Sequence, residues 1–384
     1  METFDLTQKT SRGLLRVVHI ADLHIGAFSP KAQYEILKTQ FIDRISSIEY
    51  DVLVFNGDTY DHKCMSNSDI ALYTSLIVRA CVDDCRRKNA TFIINYGTES
   101  HDSGQLKQFY HYLEDKTVHV EIVEDIKFIY THGAKILCIP EKYNMGIEYY
   151  QKYFIESGTY DLCLLHGMIE GAVYQQNSSD LSTNKSPTFI ASDFRMCYGP
   201  TLCGHVHTPG CFNSHIYYSG SPLRWCYGEE QEKGFLYVAI DLDSHKYYPY
   251  FWTIESYKYC TINLDFMLME DPNKVIDHVK KLQDSGIHNV RIEFAKQMSE
   301  QEIANLSILK NFYKDNNTVK IKADTYRQSL SYNDSALNEK INKYSYIMDP
   351  SLNEYQILTM YINQEKGFEY ITTEELLNIL KGND

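Results

Sequence analysis

The chain has 384 residues, enough for two or three domains and a sizeable buried core, so disorder is not its default state. Apolar residues make up 43% and charged residues 23%, and no apolar run nears the ~18 residues of a membrane span, which excludes a transmembrane helix protein and leaves no membrane partner to expect. With 37 basic against 51 acidic residues the net charge is −14, the wrong sign for coating nucleic acid by bulk electrostatics, so a phosphate ligand must be drawn by something local.

The N-terminus, Met1 to Arg12, is polar and mixed in charge with no apolar signal region, and reads as unprocessed and cytoplasmic. The ten cysteines are scattered without a C-x-x-C pair, which signals neither a zinc ribbon nor a disulfide framework and fits a reducing compartment. The 32 tyrosines read as packing residues with wet hydroxyls rather than as a base-stacking platform.

Leu14–Ile20 reads as a buried strand and Asp51–Phe55 as another. Between them, Ile36, Leu37, Phe41, Ile42 and Ile45 have helical spacing and predict a helix over Tyr34–Ile48. A helix over Ile70–Lys88 precedes a third strand, Thr91–Ile94. Further strands follow at Val118–Val123, Lys127–Thr131, Lys135–Ile139, Leu162–Leu165, Thr201–Cys203, Ile216–Ser219 and Gly234–Asp241. Helical crossovers early and short strands later predict an α/β domain over residues 1–256, with two mixed β-sheets packed as a sandwich and flanked by helices.

Beyond Tyr257 the pattern becomes strand Tyr257–Leu264, helix Pro272–Leu282, strand Val290–Phe294, helix Glu300–Phe312 and strand Val319–Ala323. This predicts a separate small α+β domain at 257–325, with Ser299 and Glu302 as a capping box for its second helix. Residues 326–348 are polar and aperiodic, as in a linker. The last segment, 349–384, carries two short helices, Ser351–Gln364 and Thr373–Leu380, the second with Thr372 and Glu375 as a capping box. Such a pair buries little alone and must dock on the body or on a partner. Leu352, Tyr355, Leu358 and Ile362 lie at helical spacing and are the candidate docking residues.

The chemistry lies where His and Asp residues fall relative to the strands. Asp22 and His24 follow the first strand as D-x-H, Asp58 follows the second in Asn56-Gly57-Asp58-Thr59-Tyr60-Asp61, and His101 with Asp102 follows the third. His166 ends Leu162–Leu165, and Gly204-His205-Val206-His207 ends Thr201–Cys203. The C-terminal ends of strands are where open α/β sheets build their sites. In D-x-H and H-x-H, side chains two apart on an extended segment point the same way and can reach one metal centre. Mixed carboxylate and imidazole ligation suits manganese, iron or zinc, and a carboxylate such as Asp58 can bridge two ions. Each piece alone is weak, since a lone D-x-H is far more often a turn and a lone strand-end His a core residue. Five such elements in fixed order outweigh that reading.

The order D-L-H, G-D-x-x-D, His-Asp, a lone strand-end His and G-H-V-H resembles the calcineurin-like binuclear metallophosphoesterases. Tyr218-Ser219-Gly220-Ser221-Pro222-Leu223 followed by Glu232-Lys233-Gly234-Phe235 makes it similar to the SbcD-type DNA exonuclease subunits of bacteria and phages, relatives of the eukaryotic double-strand-break repair nuclease. The resemblance covers residues 14–241 by motif and the remainder by domain layout. It implies the metallophosphoesterase fold and two divalent ions, manganese first, with magnesium, iron or zinc as alternatives. One ion would take Asp22, His24, Asp58 and His207, and the second Asp58, His166, His205 and one residue of the third motif. His101 would sit beside the scissile phosphate, with Asp102 either orienting it or capping a turn. The family usually shows G-N-H-D there, whereas this chain has Gly97-Thr98-Glu99-Ser100-His101-Asp102. That places Ser100 at the Asn position, with Glu99 as the alternative ligand. The implied activity is hydrolysis of phosphodiester bonds at DNA ends, hairpins or single strands during recombination, repair or replication. The implied partners are an SbcC-like coiled-coil ATPase and a second copy, as a homodimer within a heterotetramer, with 257–325 as the DNA-capping module. A small-substrate binuclear phosphodiesterase and a non-catalytic scaffold with an impaired second metal site stand as the other readings.

Overall fold

The computed structural model describes residues 13–62, 67–156, 158–172, 188–229, 231–263, 271–294, 300–323, 352, 354–364 and 372–380. The expected linker at 326–348 and Ser299 of the expected capping box lie outside them. The described residues fall into two compact units, one reaching to Ala323 and one holding the C-terminal helices.

In the first unit, β1 (Leu14–Ile20) leads through α1 (Pro30–Leu37), a π-helical turn (Lys38–Ile42) and α2 (Asp43–Ser46) to β2 (Val52–Asn56). Helix α3 (Ser68–Lys88) leads to β3 (Thr91–Asn95), and the short α4 (Glu99–Asp102) comes before β4 (His119–Val123), β5 (Lys127–Thr131) and β6 (Ala134–Ile139). Then follow α5 (Ile147–Gln151), β7 (Leu162–His166), the two-residue pair β8 (Met168–Ile169) and β9 (Thr188–Phe189), β10 (Thr201–Gly204), β11 (Gly210–Phe212), β12 (Ile216–Tyr218), β13 (Gly234–Asp241) and β14 (Tyr247–Thr253).

Two six-stranded mixed sheets result, in the orders β14-β13-β1-β2-β3-β4 and β11-β12-β10-β7-β6-β5. Strands β1 to β4 are mutually parallel, and β13 runs antiparallel to β1 and to β14. In the second sheet β12, β10, β7 and β6 are parallel, and β11 and β5 close the edges antiparallel. Alternate residues of each strand enter different cores. Leu15, Val17, Val52, Val54 and Ile93 meet Ile136, Cys138, Leu162, Leu164 and Leu202 between the sheets. The outer face of the first sheet packs Val18, Leu53, Phe55 and Phe92 against Leu37, Phe41 and Ile45 and against Ile77 and Cys81 of α3. The outer face of the second packs Leu137, Cys163, Leu165 and Cys203 against Tyr150, Phe154 and Phe194. Burial on both faces is why these strands read as unbroken apolar runs.

The short elements α4, α5, β8, β9 and β11 were not anticipated, and two longer ones also differ from expectation. The first helix begins at Pro30, where Ser29 Oγ accepts from the Ala32 N–H at 3.4 Å and proline occupies a first-turn position whose N–H has no helical partner. Strand β14 was not anticipated; its Tyr-Tyr-Pro-Tyr-Phe-Trp run is half-buried and contains Pro249, which only an edge strand accommodates.

The same unit contains β15 (Tyr259–Asn263), α6 (Pro272–Asp284), β16 (Asn289–Phe294), α7 (Glu300–Phe312) and β17 (Val319–Ala323), whose strands form a parallel sheet in the order β15-β16-β17. This β-α-β-α-β piece meets the sandwich through Tyr227, whose ring lies 5.2 Å from that of Tyr259 and 4.7 Å from the Arg291 guanidinium. The second unit holds α8 (Glu354–Gln364) and α9 (Thr373–Leu380). The α9 capping box is formed, with Thr372 N–H donating to Glu375 Oε2 at 2.7 Å and Glu375 N–H donating to Thr372 Oγ1 at 3.2 Å. Among the described residues no helix is long and apolar enough to cross a membrane.

Candidate metal centre

Parallel pairing brings the C-terminal ends of β1, β2 and β3 together in one sheet, and those of β6, β7 and β10 in the other. At these ends two groups of side chains converge, Asp22 with His24 and His207, and Asp58 with His166 and His205. Within each group the donor atoms lie within 4.8 Å of one another, a spacing at which either group could hold a metal ion. Asp58 stands between the groups, its Oδ2 3.7 Å from His24 Nε2 and 3.4 Å from His166 Nε2. The two histidines of G-H-V-H therefore part, one to each group.

The backbone reaches this arrangement by strain rather than by extension. Asp22, His24, Asp58 and His205 all have positive φ, four of ten such non-glycine residues among those described. Asp22 and His24 thus share a group although neither is extended. The β1 and β2 loops are laced together by Asp22 N–H to Gly57 O at 3.1 Å, His24 N–H to Asp58 O at 2.9 Å and Ile25 N–H to Thr59 O at 3.0 Å. Gly57, at φ +86°, and Gly204 leave room for the His166 ring, whose Nδ1 a methyl group at Gly57 would strike.

The residues fit a pair of cations. Asp22 Oδ2, both ring nitrogens of His24 and His166 Nε2 are buried without a hydrogen-bond partner, a state that ordinarily costs about 1–3 kcal/mol per group and that a cation relieves. Burial works against the charge on Asp58, yet His166, His101 and His24 hold its carboxyl well below the usual range. Burial likewise opposes a proton on His166, and Asp58, Asp22 and Glu141 overcome it, raising the ring to about 10. The cluster is built to be compensated by positive charge.

Outer partners fix the candidate ligands. His166 Nδ1 lies 2.8 Å from the Asn56 carbonyl, which leaves Nε2 facing Asp58. Asn56 Nδ2 in turn reaches His19 Nε2 at 2.9 Å and the carbonyls of Leu165 and Leu202 at 3.0 and 2.9 Å. Asn95 Nδ2 reaches Asn56 Oδ1 at 2.9 Å, so two asparagines tie the sheets beneath the site. On the other side Glu229, 1% exposed, lies 3.7 Å from His207 Nδ1 and 3.3 Å from Lys233 Nζ. The Trp225 indole stands 4.6 Å from the His24 ring and 4.8 Å from that of His207.

His101 is buried with its ring 4.7 Å from His24, beside the first group. The Asp102 carboxylate accepts from the backbone N–H groups of Thr59 at 3.0 Å, Tyr60 at 3.3 Å and Gly97 at 2.9 Å, which is the turn-capping role, spread over two loops. Ser100 and Glu99 are both exposed on α4 and do not line the second group. The residue facing it is Thr98, which donates from its N–H to Asp58 Oδ1 at 2.6 Å and places its hydroxyl 3.1 Å from Asp58 Oδ2 and 3.0 Å from Glu141 Oε2. Glu99 and Ser100 open α4 on its exposed side, and Thr98, the first residue after Gly97, keeps the inward position. Of the docking candidates, Tyr355 is exposed and Leu352, Leu358 and Ile362 are half-buried, in the second unit.

Thr98, Glu141, Trp225, Glu229 and the asparagine pair escaped the sequence reading. Glu141 had a signal of the kind that marked the others, since it follows the apolar strand Ile136–Ile139 within two residues.

No protein-family model matches the chain, and no curated protein matches its sequence. Among solved structures, a hypothetical protein from Pyrococcus horikoshii is 11% identical at a TM-score of 0.28, over 77% of this chain and 97% of that one. A Thermotoga maritima protein solved by NMR is 13% identical at a TM-score of 0.28, over 62% of this chain and 99% of its own. At these scores the likeness carries no functional argument.

Proposed function

We propose that the chain is a two-metal phosphodiesterase of the SbcD type, a metallophosphoesterase-fold nuclease subunit acting on DNA ends with manganese as its first-choice metal. The observation that supports this best is the pair of buried ligand groups sharing Asp58, with His101 against His24. Two divalent ions in such a site supply Lewis acidity and a water of lowered pKa for in-line displacement at phosphorus. Asp22, His24 and His207 would hold one ion, Asp58, His166 and His205 the other, with Asp58 shared. His101 would donate a proton to the leaving oxygen, or meet the charge that builds on the phosphate. Asp102 keeps the loops of Thr59 and Gly97 in register, and with them Asp58 and Thr98. Trp225, its ring 4.6 Å from His24 and 4.8 Å from His207, would limit the directions from which water reaches them.

The cations also answer the charge problem, because they draw a phosphate backbone locally on a chain of net −14. In this reading the β15–β17 piece serves as a DNA-capping module, and α8, with Leu352, Tyr355, Leu358 and Ile362, docks on an SbcC-like ATPase within a dimeric assembly. The test is digestion of linear duplex DNA by the purified chain with Mn²⁺, beside His101→Ala, with bis(p-nitrophenyl) phosphate as second substrate. Loss of DNA at least about a hundredfold slower in the variant is expected, the usual share of a general acid. Hydrolysis of the small ester alone, still absent on DNA after an ATPase partner is added, would sink the nuclease and leave a small-substrate phosphodiesterase.

A further inference from the structure

The second ligand group is one donor short of the first motif-based expectation, because no asparagine follows Gly97 and both Glu99 and Ser100 face outward. A different strand end fills the gap. Strand β6 runs parallel to β7 with Ile139 opposite Leu165, so Glu141, two residues past Ile139, arrives beside His166, one past Leu165. Its backbone is anchored there by an N–H to Tyr96 O bond of 3.3 Å, which ties it to the end of β3. The side chain is 3% exposed, and its Oε2 lies 3.3 Å from His205 Nδ1, 3.6 Å from His166 Nε2 and 3.0 Å from Thr98 Oγ1.

These distances put one carboxylate oxygen against the inward nitrogens of two residues that belong to the group, and His166 Nε2 has no hydrogen-bond partner although it is 1% exposed. A carboxylate buried among imidazoles without a cation leans on their protons for compensation, whereas beside a cation it becomes a ligand. Thr98 Oγ1 then bridges the two carboxylates, 3.1 Å from Asp58 Oδ2 and 3.0 Å from Glu141 Oε2.

Resting on the binuclear reading above, we propose that Glu141 is the fourth protein ligand of the second ion, an anionic oxygen from β6 in place of a neutral amide from the loop after β3. The replacement adds a negative charge to the site and hardens its donor set, which favours Mn²⁺ or Mg²⁺ over softer ions. It also moves the ligand off the loop that carries His101, so that loop is free to vary in length without emptying the site.

The proposal is tested without catalysis, by Mn²⁺ titration calorimetry and bound-metal analysis of the metal-stripped full chain. Wild type should take up two ions. Glu141→Ala should retain one, Glu141→Gln should retain two with the weaker step loosened by roughly tenfold or more, the scale of losing even an outer partner of a ligand, and the Mn–Mn coupling in the electron paramagnetic resonance spectrum should vanish in the alanine variant. His207→Ala serves as the comparison that loses the other ion. Glu141→Gln preserves side-chain volume, so its result stands if the alanine variant unfolds. Two ions bound at wild-type affinity by both Glu141 variants would overturn the assignment and leave Glu141 as a partner of Thr98 and the neighbouring histidines only. Fewer than two ions on wild type would overturn the binuclear reading itself, a distinguishable failure.

Discussion

His19 shows how much of the site's order is paid for by residues that never touch a ligand. It is fully buried in β1, its Nε2 2.9 Å from Asn56 Nδ2, and burial first, then His166, pushes its pKa down to about 3. The unfolded chain takes up this proton near the ordinary value of 6.5, the folded chain only near 3, so folding stability falls as pH drops below 6.5. For the metal-free protein we expect His19→Gln, whose carbonyl can accept the same amide, to lose about 2 kcal/mol less than wild type between pH 6.5 and about pH 4.5. Urea unfolding at both pH values measures it; equal losses would place the acid sensitivity elsewhere. The residues of the D-x-H, G-D and G-H-V-H motifs were legible because they are chemically unusual after apolar runs. Thr98 was not, since threonine next to glycine is common, and only its bonds to Asp58 and Glu141 distinguish it.

At the scale of elements, the strands were legible because both faces are covered and the apolar runs are unbroken, whereas edge strand β14, rich in tyrosine and carrying Pro249, gave no such run. The Lys38–Ile42 π-turn was also invisible, since a single extra residue in a helix leaves no compositional mark. Loop shape depends on close approach. Gly97 lies against Asp58, and a methyl group there would run into the Asp58 backbone nitrogen and carboxylate. Gly97→Ala should therefore weaken Mn²⁺ binding at the shared carboxylate by at least about tenfold while the cores between and outside the sheets keep the fold. Calorimetry beside circular dichroism checks this, and unchanged Mn²⁺ affinity would show that the loop yields without moving Asp58.

For the whole molecule, every candidate ligand among the described residues comes from the unit that ends at Ala323, and none from the unit containing α8 and α9. A chain ending at Ala323 should bind the same two Mn²⁺ ions and hydrolyse bis(p-nitrophenyl) phosphate at the full-length rate, while losing any ATPase association. A fall in metal uptake would mean the C-terminal helices support the site. Sequence alone determined the layered α/β class, the longer buried strands, the α9 capping box and six metal-compatible residues, because periodicity, capping chemistry and ligand type are local properties. Tertiary structure alone decided that Thr98 rather than Ser100 faces Asp58, and that Glu141 lies against His166 and His205. Those facts depend on which strands lie side by side and on where left-handed backbone turns a side chain, and neither is written in local spacing.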